Sequence, residues 1–187
     1  MASSFFTVGH SRRTLSEFVD LLRAYKIELV VDVRHVPRSR TNPQFNRETL
    51  PGDLGVFQIA YTHIPELGGL RGKQHGANHS INNLWRVRSF QNYADYALTE
   101  QFQVGLSKLR VLGYQRRSVI MCAEVLWWRC HRRIIADYLI AAGESVVHIF
   151  SLDHDELARL TPGAVSQSDG TVIYPAAVEA HNGEEPR

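Results

Sequence analysis

Short runs of consecutive apolar residues alternate along this chain with stretches in which apolar positions recur every three to four residues. The two patterns predict buried strands alternating with amphipathic helices. Phe5 to Val8 reads as a strand ending in Gly9, His10 and Ser11. Thr14 with Glu17 three residues on makes a capping box, and Leu15, Phe18, Val19 and Leu22 supply the apolar face of the helix behind it. Glu28 to Arg34 (ELVVDVR) is apolar without alternation, as expected of a strand covered on both faces in a parallel sheet. Strand, helix and strand together form a βαβ unit.

Residues 35–55 hold three prolines and little periodicity, with one turn of helix expected at Asn46 to Leu50. Phe57 to Ile64 alternates as a third strand. Leu67 to Asn83, rich in Gly, His and Asn, is long enough to be a functional lid or a segment disordered in the free protein. Helices are predicted over Ser89 to Leu98 and Thr99 to Leu112, the second stopped by Gly113. Val119 to Met121 then forms a buried strand ending at Cys122. A helix begins near Cys130, with Ile134, Ile135, Tyr138, Leu139 and Ala142 on one face and Gly143 at its end. Ser145 to Phe150 is another strand, Asp155 to Leu160 a brief helix, and Val172 to Tyr174 an edge strand. The expectation is one α/β domain over residues 1–176, with a mostly parallel central sheet flanked by helices, and an acidic, disordered tail over 177–187.

A chain of 187 residues, 44% hydrophobic, suits one domain with an ample core. There is no long apolar run and no charged leader before an apolar stretch. A membrane span and a signal peptide are therefore not expected, and the cytoplasm is the expected location. Two cysteines eight positions apart make a poor disulfide framework and read as free thiols. The net charge of +2 hides a division: residues 1–133 carry 19 Lys+Arg against 10 Asp+Glu, and residues 134–187 carry 2 against 9. Basic residues thus gather on the part that holds the candidate chemistry. Arg outnumbers Lys eighteen to three, which suits forked recognition of phosphate or carboxylate, with a codon-composition bias toward Arg as the alternative explanation of the ratio itself.

That chemistry lies at the predicted strand ends: His10 and Ser11; Asp32 and Arg34; Cys122 and Glu124; and His148. A parallel sheet brings all of them to the carboxyl edge of the strands, where open α/β sheets bind ligands. Cys130, at a helix start among Arg129, Arg132 and Arg133, is expected to ionise more readily than a free thiol, and Cys122 less readily. The catalytic candidates are Cys122, Glu124, Cys130, Asp32 and Arg34; small core thiols and a structural Asp32–Arg34 ion pair are the alternative readings. Substrate contacts are expected from His10, Ser11, Arg38, Ser39, Arg40, Tyr61, Trp128, His131 and Arg132. The arginine loop after Arg34 and the stacking aromatics point to an anionic small molecule or a nucleic acid as partner. No cofactor is indicated. No metal is expected either, since a zinc ribbon needs closely paired cysteines, and His75 and His79 lie in a Gly-rich stretch without helical pattern.

TVGHS at 7–11, VDVRHVPRS at 31–39, YTHIPELGG at 61–69, and CAE at 122–124 followed by CHR at 130–132 resemble the family known as domain of unknown function 488. The likeness runs from about Thr7 to Ile149 and implies an α/β domain with its signature residues pooled at one site. Two positions depart from the family pattern: His35 stands where Ser is usual, and the insert VLWWR between CAE and CHR is typically polar. Three functions are compatible with these residues. The first is an enzyme acting on a nucleotide or nucleic-acid-derived substrate, with a cysteine nucleophile and Glu124 as acid or base. The others are a nucleic-acid-binding module with structural cysteines, and a dithiol redox or sulfur-handling protein.

Overall fold

The computed structural model describes residues 4–74 and 79–176; the expected acidic tail and His75 lie outside them. The predicted βαβ opening is present as β1 (Ser4–Gly9), α1 (Leu15–Ala24) and β2 (Leu29–Asp32). Thr14 and Glu17 close the capping box reciprocally, so two otherwise orphaned N–H groups at the start of α1 are satisfied. There follow α2 (Leu50–Gly55), β3 (Ala60–His63), α3 (Arg88–Ala97), α4 (Glu100–Gln115), β4 (Ser118–Cys122), α5 (Arg132–Ala141), β5 (Ser145–Ser151) and β6 (His154–Leu157). A separate two-stranded ribbon pairs β7 (Val165–Ser166) with β8 (Val172–Ile173).

The sheet order is β3-β2-β4-β1-β5-β6, parallel throughout except for β6. Neighbouring residues of each central strand serve opposite faces. Phe6, Val8, Val30, Val119 and Met121 pack with α1 and α2 residues such as Phe18, Leu22, Leu50 and Leu54. Phe5, Val31, Val33 and Ile120 pack with Phe102, Ile134, Ile135 and Leu139 of α4 and α5. Burial on both faces explains why these strands read as unbroken apolar runs rather than alternating ones. The chain leaves β1 toward β2 and β3, returns to insert β4 between β2 and β1, and then continues on the other side of β1. The carboxyl ends of β2, β4 and β1 therefore surround the crevice at a topological switch point.

Several expectations need correction, among them the turn of helix at Asn46 to Leu50, where the helix instead runs over Leu50–Gly55. Asp155 to Leu160 is not a helix: His154–Leu157 is an exposed strand whose backbone is paired in an antiparallel ladder with β5. Val172 is not on the edge of the main sheet but in the ribbon, with Val172 and Tyr174 fully buried against α5. α4 runs through Gly113 to Gln115, because the Phe5 ring lies where a side chain at 113 would project. The helix after Cys130 starts at Arg132, and Cys130 itself is extended.

Candidate functional site

The cleft at the carboxyl edge has a volume of about 960 Å³, and eight of the predicted residues line it: His10, Ser11, Arg34, Arg38, Cys122, Glu124, Cys130 and His131. Its architecture starts from Gly9. Beyond β1 the ladder to β4 continues, His10 N–H donating to Cys122 O (2.8 Å) and Ser11 N–H to Ala123 O (3.0 Å). The chain at Glu124 then crosses directly over β1. A Cβ at position 9 would lie 2.0 Å from Glu124 O, so only glycine lets the loop pass.

Asp32 and Arg34 form the buried ion pair at the end of β2. The guanidinium Nε donates to both carboxylate oxygens (2.9 and 3.1 Å) and Nη2 donates to Oδ2 (2.6 Å), while Tyr61 Oη donates to the same oxygen (2.7 Å). Asp32 is wholly buried and its acceptors are engaged, so it orients Arg34 and does not border the cleft. Arg34 also fixes the following loop by donating to Phe45 O (2.6 Å), and its Nη1 meets His10 Nε2 (3.2 Å). His10 stacks on Phe45 with centroids 4.1 Å apart and donates from Nδ1 to Ser11 O (2.8 Å). Burial, seconded by the Arg34 charge, takes its pKa down to about 4, so the ring is neutral with Nε2 as acceptor.

The thiols lie on the other wall. Cys122 Sγ, Cys130 Sγ and a ring nitrogen of His131 fall within 4.8 Å of one another. His131 Nε2 donates to Val33 O (2.9 Å), which leaves Nδ1 as the bare nitrogen, 3.6 Å from Cys130 Sγ. Arg132 is 1% exposed and places Nε 3.4 Å from the same sulfur. Its other donors reach Thr7 Oγ1 (3.5 Å), Val125 O (3.3 Å) and Glu124 O, so this one side chain both ties down the crossing loop and faces the sulfur. Among the described residues no carboxylate pairs with it.

Burial opposes ionisation of Cys130, but the Cys122 thiol and the His131 and Arg132 groups together bring its pKa well below the ordinary thiol value. Hydrogen bonding to Cys130, burial and the negative charge of that sulfur push Cys122 well up. The directions match the sequence-based expectation, yet the cause differs. Cys130 lies two residues ahead of α5, and the side chains of its two successors do what a helix start was expected to do.

The remaining candidates are placed elsewhere or differently. Ser39 Oγ accepts from Asn42 N (3.0 Å) and closes a turn, Arg40 is exposed, and neither borders the cleft. Trp128 packs toward Phe150 at 6.0 Å rather than over the cleft. Trp127 stacks on His148 at 4.4 Å, and His148 sits within β5, buried, rather than at its end. Glu124 is exposed and its Oε1 accepts from Leu126 N (3.2 Å). Residues the sequence did not single out also line the cleft: Arg12, Leu70, Phe90 and Tyr93. Nothing local marks them, since they come from loops and from α3, whose Tyr93 ring lies 5.0 Å from that of His131. His63, the last residue of β3, is not among the residues that line the cleft, and its Nε2 donates to Arg34 O (2.9 Å).

Among the described residues no helix is long and apolar enough to cross a membrane. No curated protein and no solved structure matches the chain. The family model for DUF488, a domain of unknown function, matches residues 14–139, which include Asp32, Arg34, Cys122, Glu124 and the Cys130–His131–Arg132 run. On that match, spanning most of the chain and both walls of the cleft, the protein belongs to the DUF488 family.

Proposed function

We propose that this protein is an enzyme in which Cys130 is the nucleophile toward an anionic, nucleotide-type substrate bound in the cleft. The observation that carries the reading is Arg132: a guanidinium, always charged, buried without a carboxylate partner among the described residues and aimed at a sulfur. An uncompensated buried charge is costly, and a Cys130 thiolate supplies the missing counter-charge. His131 Nδ1 is the proton acceptor within reach of that sulfur. The Cys130 proton passes to His131, the sulfur bonds to the electrophilic centre of the substrate as the bond from that centre to the leaving group breaks, the imidazolium protonates the leaving group, and a water molecule or second acceptor then displaces the Cys130 sulfur, giving a proton back to it. Arg12, Arg34 and Arg38 supply cationic groups for the anion, and Leu70, Phe90 and Tyr93 an apolar wall for a planar base.

Chemical labelling separates this from a structural role. Cys130 is 5% exposed and Cys122 is more open, so accessibility alone makes Cys122 the faster residue with iodoacetamide at neutral pH. The expected result is the reverse, with Cys130 faster, slowed by Arg132→Met and protected by a nucleoside monophosphate. Preferential labelling of Cys122 sinks the proposal. A second reading, reversible pairing of the two thiols, is favoured by their separation of no more than 4.8 Å. Mild oxidation of the reduced protein that leaves both thiols free, by mass spectrometry, removes it.

A further inference from the structure

Cys122, Cys130 and His131 are three groups of metal-ligating chemistry that converge from the end of β4 and from the segment entering α5. We propose that they form a site for one borderline-soft divalent cation of the Zn²⁺ class, with the fourth coordination position open to the cleft. Two thiolates and an imidazole select such a cation over Mg²⁺ or Ca²⁺, and three protein ligands with one open position is the arrangement of catalytic rather than structural zinc.

Geometry carries this. Zn–S bonds of about 2.3 Å and Zn–N bonds of about 2.0–2.1 Å in a tetrahedron require an S···N edge of about 3.6 Å and an S···S edge of about 3.8 Å. Cys130 Sγ and His131 Nδ1 are 3.6 Å apart, and the whole set fits within 4.8 Å. The ring is already turned correctly. Its Nε2 hydrogen goes to Val33 O, the carbonyl contact that fixes the tautomer and basicity of a ligating histidine, and Nδ1 is left free to coordinate. Arg132 Nε, 3.4 Å from Cys130 Sγ, is a ready donor to a coordinated sulfur.

A second, independent feature keeps the approach clear. Gly69 runs past the ring so closely that a Cβ there would lie 2.8 Å from His131 Nδ1. Glycine preserves space beside the one nitrogen that a metal would use. Cys122, Cys130 and His131 all border the cleft, so the fourth position faces substrate or water. Loading displaces the remaining thiol hydrogens to solvent and leaves two thiolates, one neutral imidazole and the divalent cation.

The inference goes beyond the nucleophile reading, because a coordinated Cys130 is a ligand and a metal-free Cys130 a nucleophile. The test is titration of reduced, chelator-washed full-length protein with Co²⁺, followed by Zn²⁺. Expected are one Co²⁺ per chain, a thiolate-to-metal charge-transfer band, the visible bands of tetrahedral cobalt, and their loss as Zn²⁺ replaces it. Outer-shell changes typically cost about 10- to 100-fold in metal affinity, so loss of a direct ligand in Cys122→Ser or His131→Gln should weaken Co²⁺ binding by more than about tenfold. Cys122→Ser changes one atom at a half-buried position, and an unshifted melting temperature certifies its fold. No uptake, an octahedral spectrum, or unchanged affinity in Cys122→Ser overturns the site. Cys130-selective labelling of the metal-free protein without any metal uptake defeats this inference alone; metal uptake with an unreactive Cys130 defeats only the nucleophile.

Discussion

His148 and His10 should make the protein lose stability in mild acid, well above the range in which carboxylates protonate. His148 is 2% exposed, accepts or donates at 2.7 Å to Thr7 Oγ1, and lies under Trp127. Burial first, and the Arg132 charge second, take its pKa down to about 3, while His10 falls to about 4. Both values lie below the unfolded histidine value of about 6.5. The unfolded chain therefore binds more protons than the folded one, and stability falls as pH drops through 6.5. Between pH 7 and pH 5 the folded rings stay neutral, so the loss is set almost entirely by the unfolded pKa. It comes to about 2 kcal/mol for each histidine, hence about 4 kcal/mol together. Against a typical domain stability of about 5–15 kcal/mol this is a large share. Urea unfolding at pH 7, 6 and 5 measures it. His148→Gln should retain only about half of the pH-dependent loss, whatever its stability at pH 7. Asp137, whose carboxyl burial raises, acts in the opposite sense but is common to both proteins and cancels in the comparison. A parent protein equally stable at pH 7 and 5, or the same slope in the variant, refutes the reasoning.

Gly9→Ala should destabilise by at least about 3 kcal/mol in thermal or urea unfolding, because its Cβ meets backbone atoms of Glu124 and Val125 that cannot rotate away; a cost below about 1 kcal/mol would show a loop free to lift. Arg34→Lys keeps the charge but not the fork, leaving Asp32 and Phe45 O underbonded, and should cost on the order of 3 kcal/mol by urea unfolding. Lys108→Ala, by contrast, breaks an ion pair with Glu66 in which the lysine is 53% exposed, and should cost less than about 1 kcal/mol in the same assay. If the protein binds single-stranded nucleic acid through the loop after Arg34, removing exposed Arg38 or Arg40 should reduce the salt dependence of affinity by about one charge each, and salt-independent binding would exclude that mode.

The parallel sheet could be read from the sequence because burial on both faces writes an unmistakable signature into ELVVDVR and SVIM, and α1 because its capping box is local. The carboxyl-edge placement of the chemistry followed from topology alone. What could not be read was orientation. The direction of the His131 ring is set by Val33 O, contributed by a segment 98 residues away in sequence, so its closeness to both sulfurs has no local trace. A charge at a strand end suggests reactivity at Asp32, but the bonds from Arg34 and Tyr61 that occupy its carboxylate are contributed by the fold and leave no local trace. β6 is not legible in the sequence because an exposed antiparallel strand at a sheet edge has no apolar face to declare it.

The position of β1 between β4 and β5 governs how the molecule is made. Its first residue pairs with Ser145, 141 residues further along, and Phe6 with Val119. At synthesis rates of roughly 5–20 residues per second, the first strand waits roughly 7–28 s before its second neighbour exists. Until β4 emerges Phe5, Phe6 and Val8 have no strand to pair beside, and the loop-closure entropy of two long connections has yet to be overcome. Slow assembly and a need to shield nascent β1 follow directly from pairing it only with strands made much later.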